Sequence, residues 1–390
     1  LAQPVATAAG PAALVRVKTP ALGHTVISRR RRPAPPAPSS LRASPERLEN
    51  DLLQIEFAAD GTLRRIYDRL ARREVLAAGG GGNRFCLYED RPTKFEAWNV
   101  DIFYMEKPPT HPRCVSRAVL ENGPLRATVR LTLEDRRYRV VQDVSLTEGS
   151  RRIDFRTWID WAETERSLRV CFPVNVQALE ASYEVQFGHV RRPTHQNTSW
   201  DVARFEVVAH KWADLSQPDY GVALLNDSKY GHQILGNCIS LHLLRSPTSP
   251  DATADRHEHT FTYALLPHPG DMAHSEVIRR AYELNAPLRA APTGSHPGAW
   301  PATCSLLQID APAAIVETVK KAEDAPALIV RLYEALGTDA AATLTLPRPI
   351  RRAEEVNLLE EEPVRLRTQG RRVSVSLRPF EVKTLRLTLG

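Results

Sequence analysis

Apolar and polar residues alternate one by one through long stretches of this chain, which is the period of half-buried strands. Between residues 124 and 161, Val129, Leu131 and Leu133 alternate with Thr128, Arg130 and Thr132. Ile153, Phe155, Ile159 and Trp161 alternate in the same way with Asp154, Arg156 and Asp160. Segments of this kind bury one face of an antiparallel sheet and leave the other wet. Upstream, Leu53, Ile55 and Phe57 alternate with polar neighbours, Asp60-Gly61 supplies a tight turn, and Leu63 and Ile66 lie on the return strand. That is a hairpin signature. Further strands are predicted at 170–178, 203–209, 221–226, 238–245 and 259–266. Helical periodicity is scarce, and one short helix is predicted over 275–284. Strands at this spacing with few helices predict a mainly β chain built on a large antiparallel sandwich.

The pattern changes towards both ends. Val15 and Val17, alternating with Arg16 and Lys18, predict a single strand within residues 12–27. Arg29-Arg30-Arg31-Arg32 then precedes a Pro/Ser-rich stretch, 33–40, predicted to be a solvated linker. Residues 287–301 are rich in Pro, Gly and Ser and mark a boundary. Beyond it, 327–333, 342–346, 372–377 and 382–389 read as strands of a small all-β domain. The expected organisation is a tail and linker over 1–47, the sandwich over 48–300 and the small domain over 301–390.

A hydrophobic content of 42% with 25% charged residues is ordinary for a soluble globular protein. The net charge of +6 would suit nucleic acid, but the basic residues are dispersed among nearly as many acidic ones, so no nucleic-acid partner is expected. The sequence has no apolar run of about 18 residues, so no membrane span is expected. The chain opens at Leu1 on an Ala-rich stretch without a basic flank, which reads as a truncated or processed chain rather than a secretory signal. Cys86, Cys114, Cys171, Cys238 and Cys304 are odd in number and lack any CxxC spacing. Free, mostly buried thiols in a reducing compartment are expected, not a disulfide framework or a thiolate zinc site.

Several blocks carry a family resemblance. Gln186-Phe-Gly-His-Val-Arg-Arg-Pro-Thr-His-Gln-Asn-Thr-Ser-Trp-Asp-Val-Ala-Arg-Phe-Glu206 reads as a surface segment with many side chains held in place. It runs on into His210-Lys-Trp-Ala-Asp-Leu-Ser216 and Tyr220-Gly-Val-Ala-Leu-Leu-Asn-Asp-Ser-Lys-Tyr-Gly231. Asn83-Arg-Phe-Cys-Leu-Tyr-Glu-Asp-Arg-Pro92 with Ala97-Trp-Asn-Val-Asp101 precedes these blocks. Leu243-Leu-Arg-Ser-Pro-Thr-Ser-Pro-Asp-Ala-Thr-Ala-Asp255, Phe261-Thr-Tyr-Ala-Leu-Leu-Pro-His268, Val330-Arg-Leu-Tyr-Glu-Ala335 and Phe380-Glu-Val-Lys-Thr-Leu385 follow them. In this order, from about residue 48 to the end, they resemble the C-terminal region of glycoside hydrolase family 38, the retaining zinc-dependent α-mannosidases, in the branch of the cytosolic enzymes. The resemblance implies a galactose mutarotase-like supersandwich followed by a small β-domain, and a cytoplasmic location. Phe95-Glu96, Asn99 and His257 depart from the family pattern.

By the same resemblance, the carboxylate nucleophile, the acid/base and the zinc ligands lie upstream of every matched block, in a catalytic barrel and helical domain. No residue here inherits those roles, and no cofactor is expected in this chain. The implied partners are that barrel and helical domain and, through the complete enzyme, a mannose-containing oligosaccharide. The expected function is to buttress the barrel and complete the sugar pocket. The alternatives are a stand-alone carbohydrate-binding module and a purely structural or interaction domain.

Supporting residues remain as candidates. Arg245 suits paired sugar hydroxyls or a carboxylate, and equally an ion pair with Asp251 or Asp255. Tyr104 and Trp98 offer aromatic faces for a pocket wall, with core packing favoured for Trp98. Asp101 and Asp251 complete the substrate-binding candidates. Asn197, Trp200 and Asp201 read as a network that rigidifies a loop. His257-Glu258-His259 with Asp251 and Asp255 is the best gathering of metal-ligand types, with both imidazoles on one strand face, but a polar loop entering a sheet is the favoured reading and no metal is expected there. Cationic Arg191 and Arg192 disfavour a metal between His189 and His195. Thr198-Ser199 near His195 lacks the acidic orienter and oxyanion hole that a nucleophile needs.

Overall fold

A computed structural model describes residues 2–7, 10–28, 39–295 and 297–390. The four-arginine run and most of the Pro/Ser-rich stretch, expected as a linker, lie outside the described residues. The chain forms two compact units. The larger comprises 1–15, 33–184 and 190–289; the smaller comprises 16–32, 185–189 and 290–390.

The larger unit is mainly antiparallel sheet. A nine-stranded sheet runs in the order Arg113–Asn122, Arg126–Glu134, Tyr138–Thr147, Ile153–Trp161, Glu258–Pro269, Tyr220–Asn226, Trp212–Gln217, Glu180–Val185 and Gly188–Pro193. A five-stranded sheet runs Val207–Val208, Gly231–Leu235, Cys238–Arg245, Arg166–Pro173, Arg84–Glu89. A second, Arg42–Ser44 to Arg73–Glu74, contains the Asp60-Gly61 hairpin. Gly61 sits at φ +85°, and a Cβ there would meet Leu133 at 2.9 Å, so the turn needs glycine on two counts. Inward-facing residues of all three sheets share one core, among them Ile55, Leu63, Val129, Phe155, Leu168, Phe172, Leu241 and Leu265. Within it, Gln142 closes a neutral polar network. Its amide accepts from Asn83 at 2.7 Å and donates to Thr157 and to Tyr263 Oη at 2.8 Å, and the Tyr263 hydroxyl donates to Asn83 at 2.6 Å.

The alternation read at 153–161 is seen directly, with Ile153, Phe155, Thr157, Ile159 and Trp161 buried and the intervening residues more exposed. Strand Tyr220–Asn226 is buried at every position. One cause is helix Val277–Asn285, which lies over it and buries Val277 and Ala281. Asn285 donates to the Asn226 carbonyl at 2.9 Å, fastening the helix end to the strand.

Three local expectations fail. The strand expected at 203–209 is preceded and partly replaced by helix Ser199–Ala203, with only Val207–Val208 paired. Thr198 caps that helix by accepting the Asp201 N–H, which overrides the alternation. The surface segment from Gln186 includes strand Gly188–Pro193, with His189 buried. The single strand expected within 12–27 is two: Gly10–Val15 pairs with Ala2–Thr7, and Gly23–Thr25 pairs with Thr303–Ser305. Val17 belongs to neither. Gly23 packs so closely that a Cβ would lie 2.1 Å from the Cys304 carbonyl oxygen.

The smaller unit is two further antiparallel sheets. Ala314–Lys321, Leu328–Glu334, Val382–Leu389, Ile350–Val356 and Val364–Leu366 form one. Gln308–Ile309, Ala340–Thr345, Arg372–Leu377 and Thr368–Gln369 form the other. Their core holds Val330, Leu332, Leu344, Val373, Leu385 and Leu387.

Candidate functional site

Strand Arg166–Pro173 sends Leu168, Val170 and Phe172 into the sandwich core. Strict alternation therefore places Ser167, Arg169 and Cys171 on the opposite face of the five-stranded sheet. That face is not wet. Arg169 is 1% exposed. Its Nη1 donates to Tyr104 Oη and to Glu206 Oε2, both at 2.8 Å, and its Nε donates to Ser240 at 3.1 Å. Glu206 Oε1 accepts from His242 Nδ1 at 2.8 Å, and His242 Nε2 meets the Ser167 hydroxyl at 3.0 Å.

Burial alone would raise the Glu206 pKa, but the His242 hydrogen bond and the Arg169 charge outweigh it and hold the carboxyl at about 2. Burial pushes the Tyr104 phenol up to about 12, so it stays neutral. On the core-facing side of the same sheet, where His232 lies opposite Leu241 and shares its strand face with Ile234, burial also drives the His232 imidazole down to about 4. Its Nε2 and the Arg169 Nη2 have no hydrogen-bond partner. Arg169, Glu206, His242 and Tyr104 make a charged, desolvated layer on the outer side of the sheet.

Residues 91–107 lie beside this layer. The short 3-10 helix Ile102–Glu106 carries Tyr104, which meets Tyr88 edge-on at 5.1 Å. Thr93 donates from both backbone and hydroxyl to Asp101, at 2.7 and 2.9 Å. Arg245 closes strand Cys238–Arg245. Its Nε donates to Asp90 at 2.5 Å, and its Nη2 donates to the carbonyls of Glu96 and Asn99 at 2.8 Å each. Three of its five N–H donors are thus used to hold the loop. Thr248 donates to Glu96 at 3.0 Å and ties in the following loop. The tightly held segment still presents Trp98 71%, Phe95 68% and Phe103 58% exposed. Rigid backbone under exposed aromatic faces is an arrangement suited to stacking on an apolar or sugar surface.

The structure therefore gathers Arg245, Trp98, Asp101 and Tyr104 on or against one loop. Asp251 accepts from the backbone and hydroxyl of Thr253, both at 2.8 Å, as a turn-former. The carboxylate partner of Arg245 is Asp90, neither Asp251 nor Asp255. Core packing of Trp98 is not observed: the pinned loop turns its ring outward. Asp201 is buried and bonded to Thr198 as a loop network requires, whereas Trp200 is exposed. The thiols are free, but only Cys86 is buried. Asp90, Arg169, Glu206 and His242 were not singled out by the sequence. A charged residue at the non-core position of an alternating strand looks like any solvated one, so no signal marked their burial. His257 and His259 do share a face, and Glu258 turns away to accept from Trp158 Nε1 at 3.2 Å.

Known proteins agree with the resemblance. Residues 48–253 match the family model for the glycosyl hydrolases family 38 C-terminal domain, and 313–385 match that for the family 38 C-terminal beta sandwich domain. Human alpha-mannosidase 2C1 is 41% identical over 350 residues, 88% of this chain and 33% of the relative. Alpha-mannosidase G of Dictyostelium discoideum is 38% identical over 352 residues, covering 87% and 32%. The chain thus spans about a third of the length of the curated relatives it matches. In structure, an alpha-mannosidase from Enterococcus faecalis superposes with a TM-score of 0.74 over 90% of this chain and 43% of its own, at 19% identity, which speaks to the fold alone. Matched over more than half its length by the family's own model, this chain belongs to glycoside hydrolase family 38, in its C-terminal domains.

Proposed function

We propose that this chain supplies the pocket edge and the supporting sandwich of a retaining α-mannosidase that acts on oligosaccharide α-mannosides in the cytoplasm. The observation that carries this reading is the 91–107 loop, pinned by Arg245 and presenting Trp98, Phe95 and Phe103. Arg245 acts as a positioning residue, and its Nη1, unused by the loop, is the donor left for a sugar hydroxyl. By family resemblance the nucleophile, the acid/base and the zinc belong to a barrel and helical domain outside this chain. The residues here do not replace them. Among the described residues, three donors of metal-ligating type gather only at Asp255, His257 and His259. The neighbouring carboxylate, Glu258, points the other way, so the pair that retaining hydrolysis needs is absent there.

The test is kinetic. This chain, joined to the upstream part of the human relative, is assayed on an aryl α-mannoside. Arg245→Ala is expected to lower kcat/KM by about ten- to a hundred-fold, the equivalent of one lost charged hydrogen bond in the transition state. Trp98→Ala is expected to raise KM while leaving the melting temperature unchanged. Full activity in both variants would overturn the reading. Mannose affinity in the chain alone, lost in Trp98→Ala, would favour a stand-alone carbohydrate-binding module instead.

A further inference from the structure

We propose that Asp255, His257 and His259 bind a borderline divalent transition ion, of the class of Zn²⁺, Co²⁺ or Ni²⁺, at the entrance of strand Glu258–Pro269. One donor atom from each of the three residues lies within 4.8 Å of the others. The two imidazoles stand two residues apart on one face and lie nearly parallel, with centroids 4.0 Å apart and planes at 27°. Two imidazoles and a carboxylate suit such ions better than Mg²⁺ or Ca²⁺, which prefer oxygen alone.

The hydrogen bonds behind the rings are those that metal-binding histidines make. His257 Nδ1 meets the Glu258 carbonyl at 2.8 Å, and His259 Nε2 meets the Asp255 carbonyl at 2.8 Å. A carbonyl only accepts, so each of these nitrogens carries the proton. A neutral ring with that proton placed has its lone pair on the other nitrogen, which is the one left for a metal. Asp255 sits in the left-handed region, at φ +59°, and its carbonyl also accepts the His257 N–H at 3.0 Å. That turn holds the residue beside both rings. Asp255 and His257 are exposed and His259 half-buried, so side-chain rotation can close the donors to the ~3.4 Å that a tetrahedral ion with ~2.1 Å bonds requires, with water as the fourth ligand. Lys229 opposes the ion. Its ammonium lies 4.4 Å from the Phe261 ring centroid, close enough to feel Asp255.

The chain is titrated with Co²⁺, followed by its visible bands, and with Zn²⁺ by calorimetry. One ion per chain is expected. Affinity should fall by at least about tenfold, the lower bound even for a change behind a ligand, in His257→Ala, His259→Ala and Asp255→Asn. Asparagine tolerates the left-handed backbone, so the last variant reads the charge without disturbing the turn. Lys229→Met should tighten binding, and His274→Ala, at an exposed imidazole elsewhere, should change nothing. Zn²⁺ should raise the melting temperature of the parent chain and not of the His257→Ala variant. Equal affinity in the three ligand variants, or no binding of Co²⁺ in the parent chain, would overturn the proposal.

Discussion

The sandwich holds two polar clusters of opposite kinds. The inner one, Asn83, Gln142, Thr157 and Tyr263, is neutral and closed: each side chain bonds another within the core. The outer one, Arg169, Glu206, His242 and Tyr104, is charged and open, with Arg169 Nη2 unpaired. The difference teaches where the fold accepts an energetic cost. A closed neutral network is compatible with a core and specifies register. A desolvated ion pair stabilises little by itself and is very costly to break. Here it stands next to the loop that presents Trp98.

The contrast should be sharpest on removing one member. Glu206→Ala strands the Arg169 guanidinium in a buried site, and should cost about 3–5 kcal/mol in a denaturant melt. A loss below about 1 kcal/mol would mean that the outer cluster is hydrated and not unlike a surface pair. Acid should act next, through His232 on the core-facing side of the same sheet. The unfolded chain takes up a proton at His232 near pH 6.5, whereas the folded chain resists until about 4. Stability that is complete above about pH 6.5 should therefore fall as the pH drops towards 4, by about 3 kcal/mol from this group. His232→Leu should flatten that slope, and an unchanged profile would show the imidazole to be solvated in the folded state. The inner network has no titrating member in that range. Gln142→Leu should cost about 1–3 kcal/mol, by leaving Asn83, Thr157 and Tyr263 short of partners, and should do so equally at pH 5 and pH 7. Smallest of all, Trp98→Ala should alter stability by no more than about 0.5 kcal/mol, since its ring packs on little. A larger loss would return Trp98 to the core.

The sequence made the sheet strands and hairpins legible where one face is wet, because burial then writes itself as a period of two. It was least legible where both faces are covered or where a capping side chain intervenes. The strand expected at 221–226 is found as Tyr220–Asn226, but nothing along it announces the helix above. Thr198 and Asp201 redirected 199–203 into a helix through one hydrogen bond that alternation cannot register. The candidate site was legible in its outline. Trp98, Asp101 and Arg245, from two family blocks, meet at one loop with Tyr104, which lies in no block, while Asp251 forms a turn with Thr253. Their chemistry was not, because pairing is set across strands: Asp90 lies 155 positions from Arg245, and Arg169 is 37 from Glu206. Polar residues on an outward face look alike until something covers them.

The covered strand Tyr220–Asn226 also bears on how this protein can be divided. Its first face, Tyr220, Val222 and Leu224, enters the sandwich core, while Ala223 and Leu225 on its second face are buried as well, and helix Val277–Asn285 supplies cover. A fragment ending with the last long strand, at Pro269, would keep the sheet's hydrogen bonds yet leave an oily strip in its middle open to water and to other copies. The sandwich's natural end is therefore Asn285, and proteolytic trimming that stops short of it should leave material that associates, whereas cleavage in the Pro-rich residues beyond should not.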